Sequence, residues 1–176
     1  MFSKIRPTEQ EVARPLPGDE IVENADVIMD RAFTLAGSPE EVWKWFMQLG
    51  KNRSGWYFPR SVEYFILPKK RALRTIDPRL QNLRVGTVID DWGGRHATFE
   101  VAVLDPPFTL VHISKRGNTY LSWAIILEPA KDGSTRVQLR LRISPVRQKW
   151  LVVSVGGLAD ILTVAGLAAG LRERLS

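Results

Sequence analysis

The sequence predicts a single α+β domain in which a curved antiparallel β-sheet wraps around a long C-terminal α-helix. Three features support this prediction: a strand followed by a capped helix in the first third of the chain, a run of alternating strands in the second half, and an almost entirely apolar tail. A chain of 176 residues suits one domain with a sizeable core. An apolar fraction of 44% with ordinary charge content is typical of a globular protein.

The N-terminal part of the chain divides into a leader, residues 1–25, and the start of a domain that is expected to occupy residues 26–176. The leader is polar and interrupted by prolines, so we expect it to be extended. Apolar and polar residues then alternate, which predicts a strand over Val27–Leu35.

Two short helices are expected after this strand. Ser38 and Glu41 have the spacing of a capping box, so a helix should begin there and end at Gly50. Its buried face would be formed by Val42, Trp45, Phe46 and Leu49. A second helix is expected over Ser61–Leu67, with an inward face formed by Val62, Phe65 and Ile66.

The second half of the chain alternates between apolar and polar residues, and turn signals at residues 105–107 and 131–134 separate the segments. This pattern predicts strands over Val85–Ile89, Ala97–Leu104, Phe108–Ser114, Tyr120–Glu128 and Arg136–Ile143. In the last strand the apolar side chains share one face, which is expected in the core. The other face is expected in solvent and carries Arg136, Gln138, Arg140 and Arg142.

The tail, Trp150–Leu171, contains a single charge, Asp160, and no polar stripe. A helix of that composition must be covered by other apolar groups. At about 1.5 Å per residue it would be roughly 33 Å long, which suits either a helix lying across the sheet or a bilayer span. We expect it to cover the sheet, because a spanning helix would bear roughly 2.5 to 3.5 kcal/mol for Asp160 near its centre. The spacing of Gly166 and Gly170 fits either close packing on a sheet or a membrane dimer.

Composition and charge narrow the functional classes. The sequence has no cysteine, which excludes disulfides and thiolate chemistry. Its formal charge of +6 is concentrated in the segment Arg60–Arg84, which is either solvated surface or a site for phosphates, including anionic membrane headgroups. Aromatic residues spaced for base stacking are absent, so nucleic acid is not expected as a partner. Metal-ligand spacings and phosphate-binding glycine loops are also absent, so no metal or other cofactor is expected.

The two histidines are expected to be exposed. A hairpin centred on residues 105–107 gives an apolar face by pairing Phe99 with Ile113 and Val101 with Val111. His112 then lies opposite Glu100 in solvent, and His96 points outward by the same parity. A catalytic role for either imidazole is therefore not favoured.

Several segments, taken in their order and spacing, resemble a known superfamily. They are PLPGDE from residue 15, SPEEVWKWFMQLG from 38, SGWY from 54, LRVGTVID from 83, LDPPFTLVHIS from 104 and W-x-I-x-L-E-P from 123. Together they resemble an uncharacterised bacterial subgroup of the START/Bet v 1-like (SRPBCC, polyketide cyclase/dehydrase) superfamily, over nearly the whole chain. The resemblance implies a helix-grip fold and a hydrophobic cavity for lipids, polyketides, steroids or other aromatic ligands, with no fixed catalytic set. The tail departs from this pattern because few of the usual charged residues are present.

The cavity is expected between the sheet and the C-terminal helix. Its wall would be formed by Phe33, Phe99, Val101, Val111, Trp123, Ile125, Leu139 and Leu141, and its mouth by Trp56, Tyr57 and Trp92. Each of these positions also fits plain core packing, although an aromatic side chain with a polar tip suits a pocket that orients a ligand. The candidates for proton transfer are Tyr57, Asp91 and His96.

Three functional classes remain. The first is a binding or carrier protein for a hydrophobic small molecule, and the second is a cyclase- or dehydratase-type enzyme that uses the same cavity. The third is a membrane-associated lipid-binding module whose tail inserts while the segment Arg60–Arg84 contacts anionic lipids. The first residues lack an apolar core of signal-peptide length, so a cytoplasmic location is expected, with membrane association as the alternative.

Overall fold

A computed structural model describes residues 5–176 of the chain. The helices are α1 (Glu9–Ala13), α2 (Pro39–Gln48), α3 (Arg60–Glu63), α4 (Lys149–Leu151) and α5 (Gly157–Arg172). The strands are β1 (Val27–Leu35), β2 (Val88–Asp90), β3 (Thr98–Asp105), β4 (Thr109–Arg116), β5 (Thr119–Pro129) and β6 (Thr135–Ser144).

The strands form one antiparallel sheet that curves without closing, in the order β1-β6-β5-β4-β3-β2. The inner face of the sheet carries α2 and the C-terminal part of α5, and the main core lies between these layers. This architecture confirms the predicted α+β class with a curved sheet and a long C-terminal helix.

The strand and the capped helix at the start of the domain are present as predicted. β1 spans the predicted residues, and α2 begins directly after Ser38. The Ser38 hydroxyl accepts a hydrogen bond from the Glu41 backbone amide at 3.4 Å, and the Glu41 carboxylate accepts one from the Ser38 amide at 2.9 Å. This capping box satisfies two amides that the first turn of the helix leaves without partners. The predicted inner face is buried and comprises Val42, Trp45, Phe46 and Leu49.

The second short helix differs from the prediction in both length and orientation. α3 ends at Glu63, and two of the three side chains expected to face inward are turned out, with Phe65 85% exposed and Val62 41% exposed, whereas Ile66 is half-buried. Glu63 is buried instead and forms ion pairs of 2.6 Å with both Arg74 and Arg174. Two charge-assisted contacts to one carboxylate fix the orientation of this turn, which the apolar pattern alone does not anticipate.

The N-terminal segment covers the outer face of the sheet rather than extending away from it. It contains the helix α1, and Leu16 packs in a second apolar cluster on the outer face with Val111, Ala124 and Ile126. Residues 1–4 of the predicted leader lie outside the described residues. The outer face of β6 was expected in solvent, yet Arg140 is 4% exposed and pairs with Asp19 and Asp30, each at 2.8 Å. The expectation was wrong because a covering segment is invisible in the alternation of the strand itself.

The β3–β4 hairpin has a different register from the one expected. A bulge between Val101 and Val103 shifts the pairing, so Val101 lies opposite His112 and Val103 lies opposite Val111. A shift of one residue exchanges the two faces of a strand. His112 therefore points to the inner face, and Val111 points to the outer face.

The C-terminal helix runs continuously from Lys149 to Arg172, with a π-helical turn at Val152–Gly156 between α4 and α5. Its second half covers the sheet as expected and buries Val164, Ala165, Leu167, Ala168 and Leu171. Its first half is exposed along an apolar surface formed by Trp150, Val153, Val155, Leu158 and Leu162. Among residues 5–176 it is the one helix long and apolar enough to cross a membrane, a test that the core helix of a soluble protein also passes.

Candidate functional site

A cavity of about 200 Å³ lies between the inner face of the sheet, the middle of α5 and the loop that follows α2. Each of the strands β2 to β6 contributes at least one side chain to its lining. The apolar part of its lining is formed by Leu49, Trp56, Ile89, Trp92, Phe99, Leu121, Trp123, Leu141 and Val164. The polar part is formed by Asp90, Asp91, His112, Arg116, Asp160 and Thr163.

An aromatic cluster dominates the cavity. The Trp56 and Trp123 rings are stacked with centroids 6.1 Å apart. The His112 ring also stacks on Trp123, with a centroid distance of 5.6 Å. Phe99 meets the His112 ring edge-on at 5.8 Å, and Trp92 meets Trp56 edge-on at 5.7 Å. Trp56 is fixed by a hydrogen bond from its indole Nε1 to a backbone carbonyl of α5 at 3.1 Å. Such a cluster offers flat faces and edges to an apolar ring.

His112 is the polar group at the centre of this cluster. It is 3% exposed, and neither ring nitrogen has a hydrogen-bond partner among the described residues. Burial and, as the smaller cause, the positive charge of Arg53 lower the pKa of His112 to about 4, so the imidazole is neutral at pH 7. A neutral imidazole carries one donor and one acceptor, and leaving a buried donor or acceptor unsatisfied costs about 1–3 kcal/mol.

Two ion pairs flank the aromatic cluster. Asp91 pairs with Arg116, whose guanidinium also lies over the Phe99 ring at 5.5 Å. Asp160 of α5 pairs with Arg31 of β1 at 2.8 Å, and burial raises the pKa of Asp160. Among residues 5–176, no group of three or more His, Asp or Glu side chains is placed to hold a metal ion. The aromatic side chains of the cavity can therefore stack on an apolar ring of a ligand. His112 can form a hydrogen bond with the ligand or transfer a proton, and either ion pair can bind a polar substituent.

The cavity brings together five of the predicted wall and mouth residues, which are Trp56, Trp92, Phe99, Trp123 and Leu141. Four others face the same side of the sheet but are packed in solid core, namely Phe33, Val101, Ile125 and Leu139. Val111 does not belong to the wall, because the bulge in β3 places it on the outer face with Leu16.

The candidates for proton transfer do not converge. Asp91 lines the cavity, whereas His96 is exposed in the turn after β2. Tyr57 is not at the mouth: it is fully buried, and its hydroxyl contacts Ser54 at 2.7 Å and donates to the Trp45 carbonyl at 2.9 Å. Burial raises the pKa of Tyr57 to about 12, so it is a poor proton donor.

The sequence pattern assigned His112 to the wrong face of the sheet, because that face depends on the pairing register and changes when the register shifts by one residue. The sequence of β4 did contain a usable signal: the neighbouring residues Leu110 and Val111 point to opposite faces of the strand, and both are apolar. A strand with two apolar faces is typical of one that is covered on both sides. In such a strand, parity does not show which neighbour faces solvent.

No family model matches the sequence, and no curated protein matches it either. Solved structures do match. Protein MLL2253 from Mesorhizobium loti has a TM-score of 0.53 at 16% identity, covering 85% of this chain and 99% of that one. CalU16 from Micromonospora echinospora has a TM-score of 0.52 at 19% identity, covering 85% and 76%. Protein Ms6760 from Mycobacterium smegmatis has a TM-score of 0.51 at 13% identity, covering 85% and 90%.

The chain has the helix-grip fold. At identities below 20% these similarities concern the fold alone and indicate nothing about the chemistry of the cavity. In this helix grip the gap between sheet and helix is closed around α2 and open around the aromatic cluster.

Proposed function

We propose that the protein binds or carries a hydrophobic small molecule whose flat apolar part occupies the cavity. The observation that carries the proposal is the state of His112, a buried imidazole that stacks on Trp123 and whose two nitrogens have no hydrogen-bond partner within residues 5–176. A ligand that offers a hydrogen-bonding atom at this point would remove the cost of the unsatisfied imidazole. Its apolar part would fill the space between the aromatic rings.

The superfamily resemblance supports the same class of ligand, since it implies a cavity for lipids, polyketides, steroids or other aromatic compounds. The volume of the cavity limits the size of the ligand. Cavities for drug-sized ligands span roughly 300–1,000 Å³, and this one is about 200 Å³. We therefore propose a compact ligand of about two rings, or the end of a longer apolar chain.

The test is a titration with N-phenyl-1-naphthylamine, a neutral two-ring probe that becomes fluorescent in apolar surroundings. The wild-type protein is expected to bind it, and Trp123→Ala is expected to weaken binding at least about tenfold, because the variant removes a stacking face. Trp150→Ala is the matched control, since Trp150 is 71% exposed on α4 and does not line the cavity. Equal affinity of folded Trp123→Ala and wild-type protein would refute the cavity as the binding site.

A reversible contact with an anionic membrane is a second candidate function. The exposed apolar surface on the first half of the C-terminal helix favours it, because soluble proteins rarely leave such a continuous apolar surface uncovered. Co-sedimentation with phosphatidylglycerol vesicles is expected for the wild-type protein and should decrease in the variant Val153→Ser/Leu158→Ser. Wild-type protein that stays in the supernatant would exclude this function.

A further inference from the structure

A second concavity, of about 670 Å³, adjoins the aromatic cavity. We call it the cationic groove, because five basic residues line it and, among residues 5–176, no carboxylate does. These basic residues are Lys51, Arg53, Lys69, Lys70 and Arg71. Its apolar side is formed by Trp56, Phe58, Ile66, Leu73 and Trp92.

The groove and the cavity share a wall. Trp56 and Trp92 line both spaces, and their edge-to-face contact forms the partition between them. Arg53 reaches the same region, since its Cδ would lie 3.1 Å from a Cβ added to Gly50, which lines the cavity. A ligand with one end stacked on the aromatic cluster therefore needs only to pass these two indoles to reach the cationic groove.

The charges of the groove are not neutralised within the described part of the chain. Arg53 donates through Nη2 to the carbonyls of Met47 at 3.0 Å and Leu80 at 2.7 Å, while its buried Nε has no acceptor. Lys69 and Lys70 are exposed, and neither forms an ion pair with a described carboxylate. Elsewhere in the same basic segment arginines are paired, as in Arg74 with Glu63. None of the five basic side chains of the groove therefore forms an ion pair with a described carboxylate, although the Asp90 carboxylate accepts a hydrogen bond from Asn52 at its edge at 2.7 Å.

We propose that the ligand is an anionic amphiphile, with its apolar part in the cavity and a phosphate, sulfonate or carboxylate in the cationic groove. The inference rests on the proposed function, since the apolar part is the one that fills the cavity. Guanidinium and ammonium groups bind such anions through charge-assisted hydrogen bonds. The exposed lysines Lys69 and Lys70 supply the donors, and the guanidinium of Arg53 adds positive charge to the wall of the groove.

The experiment compares two probes with the same aromatic skeleton. 8-Anilinonaphthalene-1-sulfonate carries an anion, and N-phenyl-1-naphthylamine does not. The wild-type protein is expected to bind the sulfonate about tenfold more tightly, and this preference should shrink as salt is added. Lys69→Gln/Lys70→Gln is expected to remove most of the preference while leaving the affinity for the neutral probe unchanged. The two side chains are exposed and bond no other side chain or carbonyl within residues 5–176, so the variant is expected to fold normally.

The matched control is Lys44→Gln/Lys131→Gln, which removes the same charge from exposed positions outside the groove. It should bind both probes as the wild type does. Binding of both probes with equal affinity, unaffected by the groove variant, would overturn the anionic inference and leave the proposed function intact. Failure of both probes to bind, or sulfonate binding that survives Trp123→Ala, would overturn both.

Competition identifies the source of the anion. Displacement of the sulfonate probe by dodecanoate, with dodecanol as the neutral control, indicates a free acid. Displacement only by phosphatidylglycerol vesicles, on which the protein sediments, indicates a lipid headgroup. Either result must be lost in Lys69→Gln/Lys70→Gln, and a competitor that acts equally on this variant contradicts the inference.

Discussion

His112 shows how a single side chain can be held in an unfavourable state by its surroundings. Its imidazole contacts Trp123 and Phe99, and neither nitrogen has a hydrogen-bond partner in the described part of the chain. Burial and the positive charge of Arg53 disfavour its protonation. In the unfolded chain the same imidazole is solvated and takes up a proton as the pH falls through its reference pKa of 6.5. Folding is therefore coupled to the release of that proton.

We predict that stability falls as pH decreases from about 6.5 to about 4, because the pKa of His112 is about 4 in the folded protein and 6.5 in its reference state. In that window the unfolded state binds a proton that the folded state does not, so the stability present above pH 6.5 is progressively lost. The full loss is on the order of 3 kcal/mol. Urea unfolding of the wild type and His112→Gln across this range measures it. The wild-type curve should fall more steeply than that of the variant, and parallel curves would contradict the assignment.

At the scale of elements, the C-terminal helix is positioned by its small residues. A Cβ added to Gly166 would lie 2.7 Å from the Phe58 ring, and one added to Gly170 would lie 2.7 Å from the Tyr57 backbone. The two glycines therefore allow the helix to approach the segment of residues 57–58 closely. This contact accounts for their spacing within the fold. It also places the middle of α5 at the edge of the cavity, where Asp160 and Thr163 line it.

We predict that Gly170→Ala lowers the free energy of unfolding by about 1–3 kcal/mol, because a backbone neighbour cannot yield to the added methyl group. Gly157→Ala is the matched control on the same helix, since nothing lies within 4 Å of a Cβ at that position. It should leave stability unchanged or raise it by up to about 1 kcal/mol, as alanine favours helix. Urea unfolding of both variants measures the difference, and equal effects would disprove the close approach.

At the scale of the whole molecule, the sheet is covered on both faces. The C-terminal helix and α2 cover the inner face, and the N-terminal segment covers the outer one. The outer cover is held by charge as much as by apolar contact. Arg140 donates to the backbone carbonyls of Glu11, Val12 and Arg14 in addition to its two carboxylate partners. The buried arginine thus ties residues 11–19 to the centre of β6, where removing one partner of a buried pair is costly.

The first half of the C-terminal helix carries an apolar surface that residues 5–176 leave exposed. The side chains that form this surface, from Trp150 to Leu162, face outward in the described part of the chain. This surface is the site proposed above for contact with a membrane, and the cationic groove is the site proposed for an anionic group.

The sequence by itself was sufficient for the fold class, the first strand, the capped helix and the presence of a long apolar helix. These depend on local signals, namely period-two alternation, the spacing of Ser38 and Glu41, and the composition of the tail. It also predicted some of the residues that line the cavity, namely Trp56, Trp92, Phe99, Trp123 and Leu141, while their role in binding stays a prediction.

Only the tertiary structure decided the centre of the site. A bulge at one residue of β3 turned His112 inward and Val111 outward, and no local pattern marks a bulge of that kind. Likewise, the burial of Glu63 and Arg140 depends on partners far along the chain, Arg174 and Asp19. Alternation along a strand reports which residues share a face, but the face that is buried, and what covers it, are determined by contacts between segments distant in sequence.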